Sequence, residues 1–287
     1  MPEGNPYTAA MPAPPSDARS ETAEVVCVTE CGGDGVLLKV RMDKPLAPVN
    51  AGRFYMLRCE DGTSPLIPRP FSLYRQAGSE LEFLIKVMGQ GTRALAEAAV
   101  GSRLRVIGPL GNGWPELEGA GPPWVMLGGG IGSAPFFMAI EAALRGSCEP
   151  SDLMFIYGAA TESLLYDLKA FRELGIRVEA ATDDGSHGTK GNVLDVLEAL
   201  QERGDLPREV RLLGCGPDPM LAAIERHARA NELDCWISLE TLMGCGVGIC
   251  NGCPVQTVPD GSFGDWSNAK CCVEGPVFSV RDVTLAH

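Results

Sequence analysis

The segment Trp124–Pro135, WVMLGGGIGSAP, decides how the middle of the chain folds. An apolar run typical of a buried strand ends in three glycines, and Pro135 suits a first helical turn, where its missing N–H is not needed. Glycines let a backbone approach a pyrophosphate, and a helix N-terminus supplies free N–H groups to it. Ser133 departs from GxGxxG, so a turn without a ligand is the alternative. The predicted dinucleotide contacts are Gly129, Gly130 and Gly132.

Strand and helix patterns alternate on the C-terminal side of this segment. The apolar runs are DLMFIYG, RVEAATDD, EVRLLGCG and CWISLE, and helical patterns cover residues 134–145, 162–173, 191–203 and 219–231. This alternation predicts a parallel sheet with right-handed crossovers. Ligands of such sheets bind at the carboxyl ends of the strands.

A second glycine turn, GCGPDPM over residues 214–220, follows the fourth of these strands. Asp218 is the expected N-cap of the next helix, with Pro219 in its first turn. We predict that Gly214 and Gly216 contact the cofactor and that Cys215 is a catalytic residue beside a nicotinamide ring. A buried cysteine in a turn is the alternative.

The choice between NAD and NADP depends on a basic group near the ribose. The loop after the second strand, Gly158–Glu162, contains neither arginine nor lysine, which favours NAD. Lys169 and Arg172 would weaken this preference if the fold brought them back to the loop.

The N-terminal third consists of short apolar runs between turn signals: EVVCVTE, VLLKVRM, RFYMLRC, RPFSLYR, LEFLIKV and RLRVIG. Six such strands predict a small antiparallel β-barrel. Within it, Arg69 can bind a phosphate a few residues before the Ser72 hydroxyl. The sequence GQGT then opens the one helix predicted in this domain, another anion-binding helix start. The residues of interest are Arg69, Pro70, Phe71, Ser72, Gly89, Gly91 and Thr92.

The C-terminal section carries cysteines at metal-ligand spacing. Cys245, Cys250 and Cys253 have four and then two residues between them, which is the spacing of plant-type [2Fe–2S] sites. The interleaved glycines let the backbone wrap closely around a cluster. A structural zinc site is the alternative, although zinc loops more often pair CxxC with CxxC. Spacing alone allows either Cys271 or Cys272 as the fourth ligand.

Composition limits the possible functions. The formal net charge of −13 argues against nucleic acid or an anionic membrane surface as a partner. Residues 1–21 are rich in Pro, Ala and Ser without periodicity and are expected to be a disordered tail with no secretory signal, so a cytoplasmic location is favoured. The predicted domains are a β-barrel over 22–118, an α/β domain over 119–235 and a cluster module over 236–287.

The order of these motifs resembles the ferredoxin–NADP reductase superfamily, which joins a flavin-binding barrel to a nicotinamide-binding α/β domain. The segments are RPFS, GQGT, GPLGNGW, GGGIGSAP and GCGPDPM. SLETLMGCGVGICNGC, TDDGSHGTKGNV and KCCVEGPVF further resemble the FAD- and [2Fe–2S]-containing electron-transfer subunits of NAD-dependent dihydroorotate dehydrogenases. The resemblance covers about residues 22–283.

The resemblance implies a role for each matching residue. Arg69 would bind the FAD pyrophosphate together with Gly91 and Thr92, and Ser72 would act beside the flavin N5. The last cluster ligand of the family stands two residues before GPVF, which selects Cys272. The implied partner is an FMN-containing catalytic subunit, in a heterotetramer that oxidises dihydroorotate to orotate in pyrimidine biosynthesis. The cofactors implied are FAD, a [2Fe–2S] cluster and NAD(H).

Two other classes of function remain open at the level of sequence. A similar subunit could serve a ferredoxin-linked NADPH oxidoreductase, a sulfide dehydrogenase or a hydrogenase, because these differ mainly in the partner. A zinc-stabilised, nucleotide-binding interaction protein would have no redox turnover. No general acid or base for substrate chemistry is visible in the sequence, which fits an oxidoreductase subunit that transfers electrons.

Overall fold

A computed structural model describes residues 17–60, 65–259 and 261–285 of the 287-residue chain. It contains a curled antiparallel sheet, a mixed sheet flanked by helices and a two-stranded sheet near the C-terminus. None of the helices described is long and apolar enough to cross a bilayer.

The first sheet has seven strands, because RPFSLYR forms two short strands instead of one. All its pairings are antiparallel, in the order β4-β3-β7-β1-β2-β6-β5. Along the strands, buried side chains such as Val25, Leu38 and Phe83 form one core. The strands are β1 (Arg19–Glu30), β2 (Gly35–Met42), β3 (Phe54–Cys59), β4 (Arg69–Ser72), β5 (Arg75–Ala77), β6 (Glu80–Lys86) and β7 (Arg103–Leu110).

The sheet curls into a barrel because its two outer strands are consecutive in the chain. Only Leu73 and Tyr74 separate β4 from β5. The Leu73 N–H donates to Arg53 O on one side, and the Tyr74 N–H donates to Glu82 O on the other. The predicted barrel is therefore confirmed, with its one helix, α1 (Gln90–Ala96), beginning two residues before the predicted start.

The second sheet has the order β11-β10-β9-β8-β12-β13-β16. All its pairings are parallel except that of β16. From β8 the chain adds β9, β10 and β11 toward one edge of the sheet. It then returns to the other side of β8 with β12, so a topological switch point lies between β8 and β12. The strands are β8 (Trp124–Gly129), β9 (Leu153–Ala159), β10 (Arg177–Thr182), β11 (Thr189–Lys190), β12 (Arg211–Cys215), β13 (Cys235–Ser238) and β16 (Val277–Ser279).

Four helices flank this sheet, as the sequence predicts, but none begins at its predicted residue. A 3₁₀ turn, Gly130–Ser133, precedes the second helix, and another, Glu162–Leu164, replaces the first turn expected of the third. Pro217 is the N-cap of the last helix, so Asp218 is its first residue and not the cap. The helices are α2 (Phe136–Arg145), α3 (Leu168–Glu173), α4 (Val193–Glu202) and α5 (Asp218–Ala230).

The C-terminal section is not a separate layer. Its own sheet pairs β14 (Pro254–Gln256) with β15 (Asn268–Lys270), but β16 returns to β13 as the antiparallel edge of the α/β sheet. The predicted boundary after residue 235 therefore falls inside β13. The cluster section is tied to both other domains, because Asn112 of the barrel also donates to the Glu274 and Gly275 carbonyls.

The structure also corrects the N-terminal boundary. Residues 1–16 of the predicted tail lie outside the described part of the chain, but Arg19–Glu21 belong to β1. The Arg53 guanidinium donates to Asp17 at 2.7 Å and lowers the pKa of that carboxyl. The ordered barrel thus begins several residues before position 22.

Candidate cofactor sites

The barrel and the α/β domain enclose a cavity of about 230 Å³, here called the interdomain cavity. Strand β4 forms its barrel wall with all four residues of RPFS, and Thr92 of α1 lies beside them. The opposite wall contains Ile131, Ala134 and Cys215. The structure therefore brings Ser72 and Cys215, the two predicted catalytic residues, to one cavity from different domains.

Arg69 and the start of α1 lie together on the barrel side of this cavity. The Arg69 guanidinium lies over Gly91, where an added Cβ would be 3.2 Å from Nε, and it donates to the Ile67 carbonyl. The Thr92 hydroxyl accepts hydrogen bonds from the N–H groups of Met88 and Gly89, at 2.9 and 3.0 Å. A guanidinium beside a glycine backbone and a fixed helix start suits the pyrophosphate predicted there.

The two glycine turns of the α/β domain meet at the switch point. A Cβ on Gly132 would lie 2.4 Å from Cys215 O, and a Cβ on Gly216 would lie 3.0 Å from Gly129 Cα. Gly130 has a φ of +54° and open space around it. These glycines are therefore required for contact between the two turns as well as for the approach of a ligand.

Gly214 has a different environment from the one predicted. A Cβ at this position would contact Ile224, Ile237 and Leu221 at 3.2–3.4 Å. Gly214 is buried within β12 and faces helix α5. We therefore assign it to packing and not to a cofactor contact.

Cys215 is buried at the carboxyl end of β12 and lines the interdomain cavity. Burial is the main cause that raises the pKa of its thiol, and the Glu240 charge adds to it. The thiol is therefore neutral, which suits a packing and positioning role beside a ring and not that of a nucleophile.

A second cavity, of about 730 Å³, opens at the carboxyl ends of the parallel strands and is called the strand-end cavity. Gly129, Gly130 and Gly216 line it, together with Asp183 after β10 and Asn192 at the start of α4. Its position at the switch point is where open α/β sheets bind nucleotides.

The two cavities share lining residues that were not predicted as site residues. The shared lining consists of Lys86, Met88, Ile131, Glu240 and Thr241. Burial raises the pKa of the Glu240 carboxyl, and Asp218 contributes. Glu240 stands two residues after the end of β13, at the same carboxyl edge as Cys215, and no local motif marks it in the sequence.

The Gly158–Glu162 loop, whose lack of basic residues predicts NAD and not NADP, is hydrogen-bonded to the loop after β10. The Glu162 N–H donates to the Ser186 hydroxyl at 2.8 Å, and His187 lies 3.1 Å from both Glu162 and Arg172. The fold therefore does bring Arg172 back, but it contacts His187 near an acidic side chain. Asp183, in the loop after β10, places a carboxylate on the wall of the strand-end cavity.

The four predicted metal ligands form two pairs of thiols. Cys245 Sγ and Cys250 Sγ are 3.4 Å apart, and Cys253 Sγ and Cys272 Sγ are 3.3 Å apart. Thiolates on one tetrahedral ion at bond lengths of about 2.3 Å are separated by roughly 3.8 Å. Each pair therefore fits one iron, and two pairs fit a two-iron cluster.

The arrangement argues against the single zinc ion considered as the alternative. A mononuclear structural site needs its ligands around one point. Among the described residues, which include every cysteine of the chain, these four thiols lie as two close pairs. Two metal ions with two thiolates each remain the better fit.

Cys271 has the environment of a packing residue. Its thiol is fully buried and donates to the Leu239 carbonyl at 3.4 Å. Burial raises the pKa of Cys271 to about 12. The neighbouring Cys272 instead contacts the Cys253 sulfur at 3.3 Å, so the geometry favours Cys272 over Cys271, and Cys272 stays the predicted fourth ligand.

The cysteine loop also stabilises thiolates through its own backbone. The N–H groups of Val247 and Cys250 donate to Cys245 Sγ at 3.5 and 3.4 Å. The Cys245 N–H is the main cause that lowers the pKa of Cys250 to about 7. Backbone donors of this kind stabilise the sulfur charge of an iron–sulfur cluster.

The fold and these sites define an oxidoreductase in which a flavin-binding barrel and a nicotinamide-binding domain are extended by an iron–sulfur domain. Residues 240–284 match the family model for the iron–sulfur cluster binding domain of dihydroorotate dehydrogenase B, and residues 126–226 match the oxidoreductase NAD-binding domain. The "Dihydroorotate dehydrogenase B (NAD(+)), electron transfer subunit" of Bacillus cereus strain Q1 is 37% identical over 82% of this chain and 86% of its own. That of Bacillus mycoides strain KBAB4 shows the same identity and coverage. The chain belongs to this family of electron transfer subunits.

Solved structures share the fold. One, described as an NADH-dependent reduced ferredoxin-NADP oxidoreductase, has a TM-score of 0.77 and 24% identity, covering 92% of this chain and 90% of that one. A ferredoxin reductase of carbazole 1,9a-dioxygenase has a TM-score of 0.64 and 25% identity, covering 75% of this chain and 66% of that one. The predicted superfamily architecture is thereby confirmed.

Proposed function

We propose that this chain is the electron-transfer subunit of an NAD-dependent dihydroorotate dehydrogenase. It passes electrons between NAD and an FMN-containing catalytic subunit through FAD and a [2Fe–2S] cluster. FAD, when bound, converts between the hydride that NAD exchanges and the single electrons that the cluster carries. The direction proposed is from dihydroorotate, oxidised on the partner, to NAD.

The observation that carries this proposal is the order of the three sites. The interdomain and strand-end cavities share a wall that includes Glu240 and Thr241. Met243 also lines the interdomain cavity, and the first cluster ligand, Cys245, follows it by two residues. A nicotinamide, a flavin and a cluster held by these residues would be neighbours in that sequence.

The chain's own residues supply binding and orientation. Arg69 and the start of α1 would hold the FAD pyrophosphate, while Ser72 and Cys215 face the flavin ring from opposite walls. The glycine turns would place NAD at the switch point, with its nicotinamide at the shared wall. Such positioning is the main contribution that a protein makes to cofactor chemistry.

The surface beside the cluster suits a protein partner. Cys250 is exposed, and the large apolar side chains Leu242 and Ile249 are 89% and 81% exposed. Exposed apolar groups around a redox centre favour docking of another protein. We propose that the catalytic subunit covers this surface, in a heterotetramer.

A reducing, cytoplasmic location follows, because Cys245, Cys250, Cys253 and Cys272 have to stay thiols.

Co-purification tests the choice of partner. The full chain should be expressed with a dihydroorotate-oxidising, FMN-containing subunit from the same cell, and the complex should reduce NAD when given dihydroorotate. A complex that forms with a different flavoprotein and does not reduce NAD when given dihydroorotate would contradict the proposal and favour one of the related oxidoreductases.

An interface variant sharpens this test. Ile249→Glu should weaken the complex about tenfold or more, because it places a charge in a desolvated contact. Val100→Glu is the matched control, since Val100 is 72% exposed on the barrel. Both variants should keep NADH-dependent dye reduction. Equal weakening by both would move the interface away from the cluster.

A further inference from the structure

Lys270 is a half-buried cation next to the cluster ligands, and none of the proposed steps uses it. It is the last residue of β15 and stands directly before Cys271 and Cys272. Its Nζ donates to the Gly248 carbonyl at 3.0 Å. Within the described residues its ammonium forms no ion pair shorter than 4.0 Å. Its positive charge is therefore directed at the cysteine loop instead of at a carboxylate partner.

Gly248 is held from two directions. Its φ of +82° is in the left-handed region, and a Cβ would lie 2.6 Å from Val273 Cγ2, so the loop can pass here only as glycine. Its Cα faces Val273, the residue after Cys272, while its carbonyl accepts from Lys270. Lys270 thus fixes the cysteine loop between the ligands Cys245 and Cys250.

The charges around this point make one cation important. The four thiolates and two bridging sulfides of a [2Fe–2S] cluster carry more negative charge than its two irons offset, and reduction adds another electron. The chain itself has a formal net charge of −13. Glu274 is buried and accepts a hydrogen bond from the Lys270 backbone N–H, so its carboxylate acts on the cluster in the opposite sense to the ammonium. Net charge and hydrogen bonds to sulfur are what set cluster potentials.

We propose that Lys270 is a positioning residue that raises the reduction potential of the [2Fe–2S] cluster. Its ammonium offsets the charge that the cluster gains on reduction, and its hydrogen bond to the Gly248 carbonyl holds the cysteine loop between Cys245 and Cys250. This inference rests on the proposed function, because it takes the cluster as the occupant of the cysteines.

The test is a redox titration of the full chain containing its cluster, followed by the EPR signal of the reduced cluster. Lys270→Gln and Lys270→Met remove the charge, and Lys270→Arg keeps it. Lys169→Gln is the matched control, because Lys169 is 89% exposed on α3 and lies in the α/β domain. We expect the midpoint potential to fall in both neutral variants and to stay unchanged in Lys270→Arg and in the control.

Each outcome separates the two proposals. An unshifted potential in Lys270→Gln, or an equal shift in Lys270→Arg, would overturn the proposed role of Lys270. The proposed function with its [2Fe–2S] cluster would be unaffected. Loss of the cluster in both neutral variants, with its retention in Lys270→Arg, would support the same requirement for charge. Absence of a [2Fe–2S] signal in the unmodified protein would instead overturn the proposed function.

Discussion

The cysteine loop and the interdomain cavity are built in opposite ways. Three of the four cluster ligands lie within nine residues, and the loop supplies their hydrogen-bond donors from its own backbone. The interdomain cavity instead collects Ser72 from β4, Cys215 from β12 and Glu240 from the segment after β13. The cluster site is therefore a local structure, whereas the flavin site exists only when two domains are folded against each other.

This difference predicts which changes are tolerated. A ligand of the cluster cannot be replaced by its neighbour, because each thiol has a fixed partner. A substitution in the wall of the interdomain cavity should have a smaller effect, because many residues share the contact with the ligand. Three substitutions test the contrast.

The largest effect is expected from Cys272→Ser. Without this thiol the Cys253 sulfur loses its partner at 3.3 Å, so one iron lacks its second thiolate. We expect nearly complete loss of the visible absorbance and EPR signal of the cluster. Cys271→Ser is the matched control, since the Cys271 thiol contacts the Leu239 carbonyl, and it should keep the cluster. The reverse result would show that the fourth ligand is Cys271.

A smaller effect is expected from Gly132→Ala in the cavity region. The added Cβ would lie 2.4 Å from Cys215 O and force the two glycine turns apart. Such overpacking costs about 1–3 kcal/mol of stability. Thermal unfolding should show this loss together with slower dye reduction by NADH, while the cluster signal persists. Gly204→Ala has open space at the Cβ but a φ of +76°, so it is the control for backbone strain outside the cavity and should leave dye reduction by NADH unchanged. Equal effects of both changes would mean that the contact is unimportant.

The smallest effect is expected from Asp183→Ser. The carboxylate lines the strand-end cavity and would repel a ribose 2′-phosphate, so its removal should relax the preference for NADH. We expect a roughly tenfold rise in the ratio of kcat/KM for NADPH to that for NADH. Glu173→Gln, an equal charge change on the exposed end of α3, should leave the ratio unchanged. A ratio unmoved by Asp183→Ser would return the discrimination to the Gly158–Glu162 loop.

The same contrast explains what the sequence could predict. Ligand spacing, apolar runs and glycine turns are local, so the barrel, the parallel strands and three cluster ligands could be derived from the residues themselves. Choosing Cys272 over Cys271 required the family resemblance, because both thiols satisfy the spacing. In the structure the choice depends on which sulfur faces Cys253.

Other features required the tertiary structure. Glu240, Lys86 and Asp183 have no local motif, and only the strand order brings them to the cavities. Gly214 shared a motif with Gly216, yet the side of the strand that it faces gives it a packing role. The hydrogen bond between Lys270 and Gly248 joins residues 22 positions apart and leaves no sequence pattern.

The most direct test of the account is an anaerobic titration of the full chain with NADH, followed by flavin absorbance and by the EPR signal of the reduced cluster. The account predicts that NADH bleaches the flavin and that the cluster signal then appears, whereas chain depleted of FAD but retaining its cluster gives no such signal. A cluster that NADH reduces equally well without FAD, or that stays oxidised in the complete protein, would contradict the proposed path from nicotinamide through flavin to cluster.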